Sequence, residues 1–167
     1  MSHTFAYHPA SPSELALRWE RDIADNLGDS RWVRWSRQNI LDNDAGVCRN
    51  FVAVCSGEPM PIGTGTLIFS PECGAIGGRL ALADGVRCAN INALRVDKAF
   101  EGQGHISRLV RVMEAYARDA GHERLTIGVE ARESRNLGIY LHWGYDEFLM
   151  SEVEDGELVL YYSKDLR

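Results

Sequence analysis

The residues whose spacing carries the most chemistry lie in one stretch, Leu94-Arg-Val-Asp-Lys-Ala-Phe-Glu-Gly-Gln-Gly-His-Ile-Ser-Arg-Leu109. Gly102 and Gly104 have no Cβ, so the chain through them can turn successive backbone N–H groups toward one point. A helix beginning directly behind them adds its unpaired N–H groups and the positive end of its dipole. Such a cradle suits an anion the size of a pyrophosphate. The alternative is plain structural punctuation, although a simple turn needs only one glycine. Other phosphate-binding patterns fit badly. A Walker A loop requires Lys then Ser or Thr after its last glycine, where this chain has His105-Ile106. A dinucleotide fingerprint requires glycine where Ser107 stands and a turn directly after the strand, yet Asp97 to Glu101 intervene. Glu130 alone stands where that pattern would place its ribose-binding acid.

Thiol and metal chemistry have less to build on. Cys48, Cys55, Cys73 and Cys88 are irregularly spaced without a Cys-x-x-Cys pair, which predicts inert, reduced thiols. His3, His8, His105, His122 and His142 show no His-x-x-x-His spacing, so no metal is expected. A formal charge of −6 lacks the basic stripe that nucleic acid demands, while mild acidity suits a cationic acceptor such as an amine. The first eight residues lack the basic and apolar regions of a secretory leader, and no run approaches the roughly 20 apolar residues of a membrane span. The expectation is a cytoplasmic protein with no membrane partner, present as a monomer or homodimer.

These residues need elements to hold them, and 167 residues suit a single domain over 1–167. Ser11-Pro12-Ser13-Glu14 reads as a capping box opening a helix that runs to about Gly28, with Leu15, Trp19, Ile23 and Leu27 on one stripe. A second short helix is predicted over 31–40. Phe51-Val-Ala-Val-Cys55 and Ile62-Gly-Thr-Gly-Thr-Leu-Ile-Phe69 form a hairpin about Ser56-Gly-Glu-Pro59. The glycine-rich stretch 70–87 is a long loop, with one short strand expected at Arg79-Leu-Ala-Leu82. Asn90 to Val96 is a strand, Ile106 to Ala120 an amphipathic helix stopped by Gly121, and Leu125 to Val129 the next strand. This crossover implies two parallel strands. A short helix from Ser134 to Trp143 ends at Gly144, and a hairpin about Asp155-Gly156 closes the chain. The fold class is mixed α/β, a central mixed sheet with helices on both faces.

Leu94-Arg-Val-Asp, Phe100, Gly102-Gln-Gly104 and Ser107-Arg-Leu109 resemble the signature of the GCN5-related N-acetyltransferase (GNAT) superfamily: an apolar strand, a turn, then Arg/Gln-x-x-Gly-x-Gly/Ala at a helix start. Glu101 stands where that family has Arg or Gln, and Ile106 where it has Gly or Ala. Asn136-Leu-Gly-Ile-Tyr-Leu-His-Trp-Gly-Tyr145 is similar to the family helix that ends in Tyr-x-x-x-Gly-Phe/Tyr. The resemblance implies an acyl-CoA N-acyltransferase fold with acetyl-CoA or another short acyl-CoA as cosubstrate. It further implies backbone contacts from Leu94 and Val96 to the pantetheine arm, slotted where two parallel strands splay. N–H groups of Gln103, Gly104, His105 and Ile106 would meet the pyrophosphate, with Gly102 and Ser107 in the same motif and Asn136 near pantetheine. Tyr140 takes the place of the tyrosine that protonates the departing thiolate; without the resemblance it reads as an amphipathic core tyrosine. The implied reaction is direct attack of a neutral amine on the thioester, polarised by a backbone N–H near Val96 or Leu94. Glu130, at the carboxyl end of its strand, is the candidate base, with Asn90 and Asn92 as holders of a relay water. Trp32 and Trp35 either line the acceptor wall or, for at least one of them, belong to the core. Two non-enzymatic alternatives stay open: an acyl-CoA-binding regulatory domain, and a protein-interaction domain that has lost the donor.

Overall fold

A computed structural model describes residues 2–167. Seven strands form one mixed sheet in the order β1-β2-β3-β4-β5-β7-β6. Four helices accompany it, and backbone contacts divide the chain into two compact units.

The first unit holds the chain up to Leu67 together with Ala93–Ala115. Strand β1 (Phe5–Pro9) pairs antiparallel with β2 (Cys48–Cys55), from Phe5 opposite Cys55 to Pro9 opposite Phe51. This strand was not expected from the sequence. Helix α1 (Pro12–Asp25) opens with the expected capping box: Ser11 Oγ accepts from the Glu14 N–H at 3.2 Å, and Glu14 Oε1 accepts from the Ser11 N–H at 2.9 Å. Its buried stripe is Leu15, Arg18, Trp19 and Asp22, and Leu15 and Trp19 pack on Val52. The helix ends at Asp25, short of Gly28, whereas α2 (Arg31–Asp44) runs four residues beyond the expected Ile40. Gly46 explains where α2 stops: it takes φ 77°, its N–H donates to the Asn43 carbonyl at 3.2 Å and the Val47 N–H to the Asp42 carbonyl at 3.1 Å. Asn43 Oδ1 accepts from both the backbone N–H and Nδ2 of buried Asn50, whose own Oδ1 takes the Thr66 hydroxyl. Strand β3 (Gly63–Ile68) is buried throughout.

The second unit holds Ile68–Asn92 and Tyr116–Arg167. Strand β4 (Cys88–Val96) begins here and pairs in parallel with β5 (Arg124–Glu130), as a crossover connection requires. Strands β6 (Glu147–Glu154) and β7 (Glu157–Asp165) form the closing hairpin, and β7 pairs antiparallel with all of β5. Segment 70–87 is a loop, but the strand expected at 79–82 is absent. Arg79 accounts for this: its guanidinium donates to the carbonyls of Ala75 and Ile76 and to Glu152 and Glu154, and the Leu82 N–H bonds back to the Arg79 carbonyl. Asp84 Oδ1 then accepts from three successive amides, Val86, Arg87 and Cys88, which sets the entry into β4. Helix α3 (His105–Asp119) starts in the first unit and ends in the second. Helix α4 (Ser134–His142) follows β5. All four cysteines are buried thiols, and burial pushes the Cys88 thiol up to about 11.

Candidate functional site

The parallel register of β4 and β5 runs from Cys88 opposite Arg124 to Ile91 opposite Ile127 and ends there, although β4 continues to Val96 and β5 to Glu130. Two residues past that point Ala93 takes φ 55°, a left-handed value that costs an alanine about 1–2 kcal/mol. Its carbonyl accepts from Arg95 Nη1 at 3.0 Å. Leu94 and Val96, the expected backbone contacts, occupy the half-buried stretch after this break.

Beyond β4 a 3-10 turn at Lys98–Phe100 leads into exposed Glu101, Gly102, Gln103 and Gly104. Gly102 and Gly104 take φ 74° and 83°, and a Cβ built on either meets no protein atom within 4 Å. Left-handed backbone and open space coincide at both positions, a combination that would admit a closely approaching group. Gly104 O accepts the first helical bond, from the Arg108 N–H at 3.1 Å. By helix geometry the N–H groups of His105, Ile106 and Ser107 therefore point off the end.

His105, the first residue of α3, is 3% exposed. Arg108 Nη1 donates to the Tyr7 hydroxyl at 3.3 Å, and that hydroxyl lies 2.8 Å from His105 Nδ1. His105 Nε2–H then donates to Gln103 Oε1 at 3.2 Å, and Gln103 Nε2 to the Ala99 carbonyl at 3.4 Å. With the imidazole neutral, Nδ1 accepts the Tyr7 proton and the bonds run in one direction. Burial lowers the His105 pKa, and nearby Arg108 lowers it further. The rings of Phe5 and Phe100 lie 4.5 and 6.0 Å from His105. Thus β1 braces the glycine turn. Sequence reasoning missed Phe5, Tyr7 and Arg108; the only signal was the alternation of Phe5 and Tyr7 over a short segment.

In the second unit Glu130 ends β5, half-buried, with Oε2 held by Arg132 Nε at 2.8 Å; Arg132 also reaches Glu157 at 3.3 Å. Asn136 Nδ2 donates to Glu133 Oε2 at 3.0 Å. Tyr140 is half-buried, its ring 5.7 Å from that of Trp143. Burial and then the charge of Glu133 raise its pKa, so the phenol keeps its proton at neutral pH. Gly144 takes φ 95°, its N–H donates to the Leu141 carbonyl and the Tyr145 N–H to the Tyr140 carbonyl, both at 3.0 Å. This Schellman closure ends α4 and sends Tyr145 into the core, fully buried. Asn90 is also buried and committed, with Nδ2 on Thr126 Oγ1 at 2.9 Å.

Trp32 packs against the Leu15, Trp19 and Val52 cluster, while Trp35 is 37% exposed beneath the Arg31 guanidinium. Among the described residues no group of three or more His, Cys, Asp or Glu could hold a metal ion, and no helix is long and apolar enough to cross a membrane.

A model of the acetyltransferase (GNAT) family matches residues 14–145. Among solved structures, Arabidopsis thaliana NAA60 in complex with a bisubstrate analogue superposes with a TM-score of 0.68 at 16% identity, covering 97% of this chain and 98% of that one. An N-acetyltransferase from Staphylococcus aureus Mu50 gives 0.67 at 14% identity over 98% and 99%. RimL, the ribosomal L7/L12 alpha-N-protein acetyltransferase, gives 0.68 at 16% identity over 97% and 90%. No curated protein sequence matches.

Proposed function

Because the chain belongs to the acetyltransferase (GNAT) family and is accordingly an N-acetyltransferase, we propose that it moves an acetyl or short acyl group from acyl-CoA directly to a primary amine, with residues 1–167 acting as one acyltransferase domain. The observation that carries this is the pair of left-handed glycines opening α3, with open space over both and helix N–H groups directed off its end. In this proposal the N–H groups of Gln103, Gly104, His105, Ile106 and Ser107 hold the pyrophosphate, Gly102 allows its approach, and backbone groups of Leu94 and Val96 with Asn136 hold pantetheine. Glu130 takes a proton from the ammonium form of the acceptor, directly or through water. The freed amine lone pair attacks the thioester carbonyl, and a backbone N–H at Leu94 or Val96 steadies the oxygen as charge develops. As the C–S bond breaks, Tyr140 gives its proton to sulfur. The second proton of the nitrogen passes directly or through water to the Tyr140 phenolate, leaving amide and CoA thiol while Glu130 returns its proton to solvent. A cytoplasmic location and a monomeric or homodimeric state go with this proposal.

RimL carries a protein N-terminus in its name and NAA60 was captured with a bisubstrate analogue, so peptide α-amines belong beside small amines in the test. Thiol release from acetyl-CoA is measured across such a panel, with donor affinity followed by calorimetry. Acceptor-dependent thiol release supports the proposal. Donor binding without turnover on any amine favours a regulatory acyl-CoA-binding domain, for which Glu101 and Ile106 at the departing motif positions speak. Absence of donor binding removes both.

A further inference from the structure

Arg95 is placed unlike an ordinary strand arginine. Its guanidinium lies 4.8 Å from the ring centroid of Trp19 and 5.6 Å from that of Trp32. Its Nε and Nη2 both reach Asp22 Oδ2, at 2.8 and 2.7 Å. Asp22 is 4% exposed and is itself gripped by Arg18, which also bonds Asp97 Oδ1 at 2.8 Å and the Pro61 carbonyl at 3.0 Å. Two rings and a buried carboxylate thus fix the guanidinium from three sides. The remaining Nη1 donates to the carbonyl of Ala93.

That carbonyl belongs to the left-handed residue of β4. A trans peptide is planar, with its C=O and N–H pointing in opposite directions. Holding Ala93 O therefore fixes the direction of the Leu94 N–H. The Asp97 N–H donates to Ile62 O at 2.7 Å, next to β3. By strand alternation the Leu94 N–H lies on the opposite edge, the edge on which β5 pairing has ended at Ile91. Left to itself an alanine relaxes out of the left-handed region and turns this peptide.

We propose that Arg95 is a positioning residue: clamped by Asp22, Trp19 and Trp32, it pins the Ala93 carbonyl so that the Leu94 N–H is preorganised toward the thioester oxygen. The inference rests on the transfer reaction proposed above. An N–H aimed at developing charge acts mainly in the transition state, so its loss appears in kcat rather than in donor affinity.

The test uses Arg95→Met and Arg95→Lys, the second keeping a cation for Asp22 whose single ammonium replaces the planar fork that serves Asp22 and Ala93 O together. Each folded variant is expected to lose about 10- to 100-fold in kcat, while the Kd for acetyl-CoA changes less than about threefold. Ala93→Gly, which removes the steric cost of the left-handed backbone, is expected to restore several-fold of that loss in the Arg95→Met background. The Leu94 and Ala93 amide resonances should shift in both Arg95 variants without any substrate. Unchanged kcat, or kcat and affinity falling together with no restoration by Ala93→Gly, overturns the proposal. If Arg95→Met does not fold, Arg95→Lys decides by the same readings. If the wild type turns over no amine, the transfer reaction has failed instead, and the resonances alone decide whether Arg95 pins the peptide.

Discussion

Tyr140 has the chemistry that a thiolate leaving group needs, since burial and Glu133 both oppose loss of its proton. A phenol so held keeps its proton until negative charge develops on sulfur as the tetrahedral intermediate collapses. Tyr140→Phe keeps the ring against Trp143 and removes one hydroxyl. We expect turnover to fall on the order of 10²-fold with donor affinity little changed, read by thiol release and calorimetry on the same preparation. A wild-type rate with a confirmed acceptor would make Tyr140 a packing residue. The glycine turn at Gly104 was legible from residue type and spacing because it sits at a helix start, where few residue types serve; the role proposed for Tyr140 came from the family resemblance. The clamp on Arg95 was not legible. Leu15, Arg18, Trp19 and Asp22 recur at i, i+3, i+4 and i+7, so two charged residues occupied an apolar stripe. Only the presence of Arg95 and Asp97 on a distant segment turns those charges from a flaw in the stripe into a network.

At the scale of elements, the turn and helix that read most clearly are those fixed by local rules. The apolar stripe of α3, the glycines before it and the glycine stops after α3 and α4 are all short-range, and each falls where expected. Strand β1 escaped because its alternation of Phe5 and Tyr7 spans only five residues and its pairing is with β2, more than forty residues away in sequence. The 79–82 segment erred the other way, its apolar residues suggesting a strand while Arg79 bonds it into turns. The turn before α3 also gives the sharpest test of donor placement. A Cβ at Gly104 would meet no protein neighbour, so the main cost to the fold is that of a left-handed residue, about 1–2 kcal/mol. The branches of valine would nevertheless fill the space that the proposed pyrophosphate site leaves open. Gly104→Val is therefore expected to weaken acetyl-CoA binding at least tenfold, with Gly104→Ala intermediate. Unchanged affinity in a folded Gly104→Val protein would place the pyrophosphate elsewhere.

For the molecule as a whole, acid is a condition to which this fold is sensitive, because each compact unit buries an imidazole whose neutral form burial favours. His105 opens α3 in the first unit and His122 follows its end in the second, so both ends of one helix carry the same liability. Burial lowers both pKa values; Arg108 adds to the effect at His105, whereas Asp84 partly offsets it at His122. His122 stacks on Phe69 at 5.4 Å and 11°, and its buried Nδ1 has no hydrogen-bond partner. In the unfolded chain each imidazole takes up its proton near pH 6.5, about the ordinary value. In the folded protein it does so only at lower pH. Between those points the unfolded state binds more protons, so stability is whole above about pH 6.5 and falls as the pH drops through the folded values. Asp22, Asp84 and Asp165 have lowered pKa values and add their own loss only in stronger acid, below the usual carboxylate range. The interval from pH 7.5 to pH 5 consequently isolates the histidines. His122→Phe keeps a flat ring against Phe69 and removes the titrating, unpartnered nitrogen, so its urea midpoint should fall less over this interval than that of the wild type. Each histidine can contribute at most one proton to the slope, about 1.4 kcal/mol per pH unit, so part of the dependence should remain with His105. Parallel wild-type and His122→Phe midpoints from pH 7.5 to pH 5 would show that the buried imidazole after α3 is not a source of acid sensitivity.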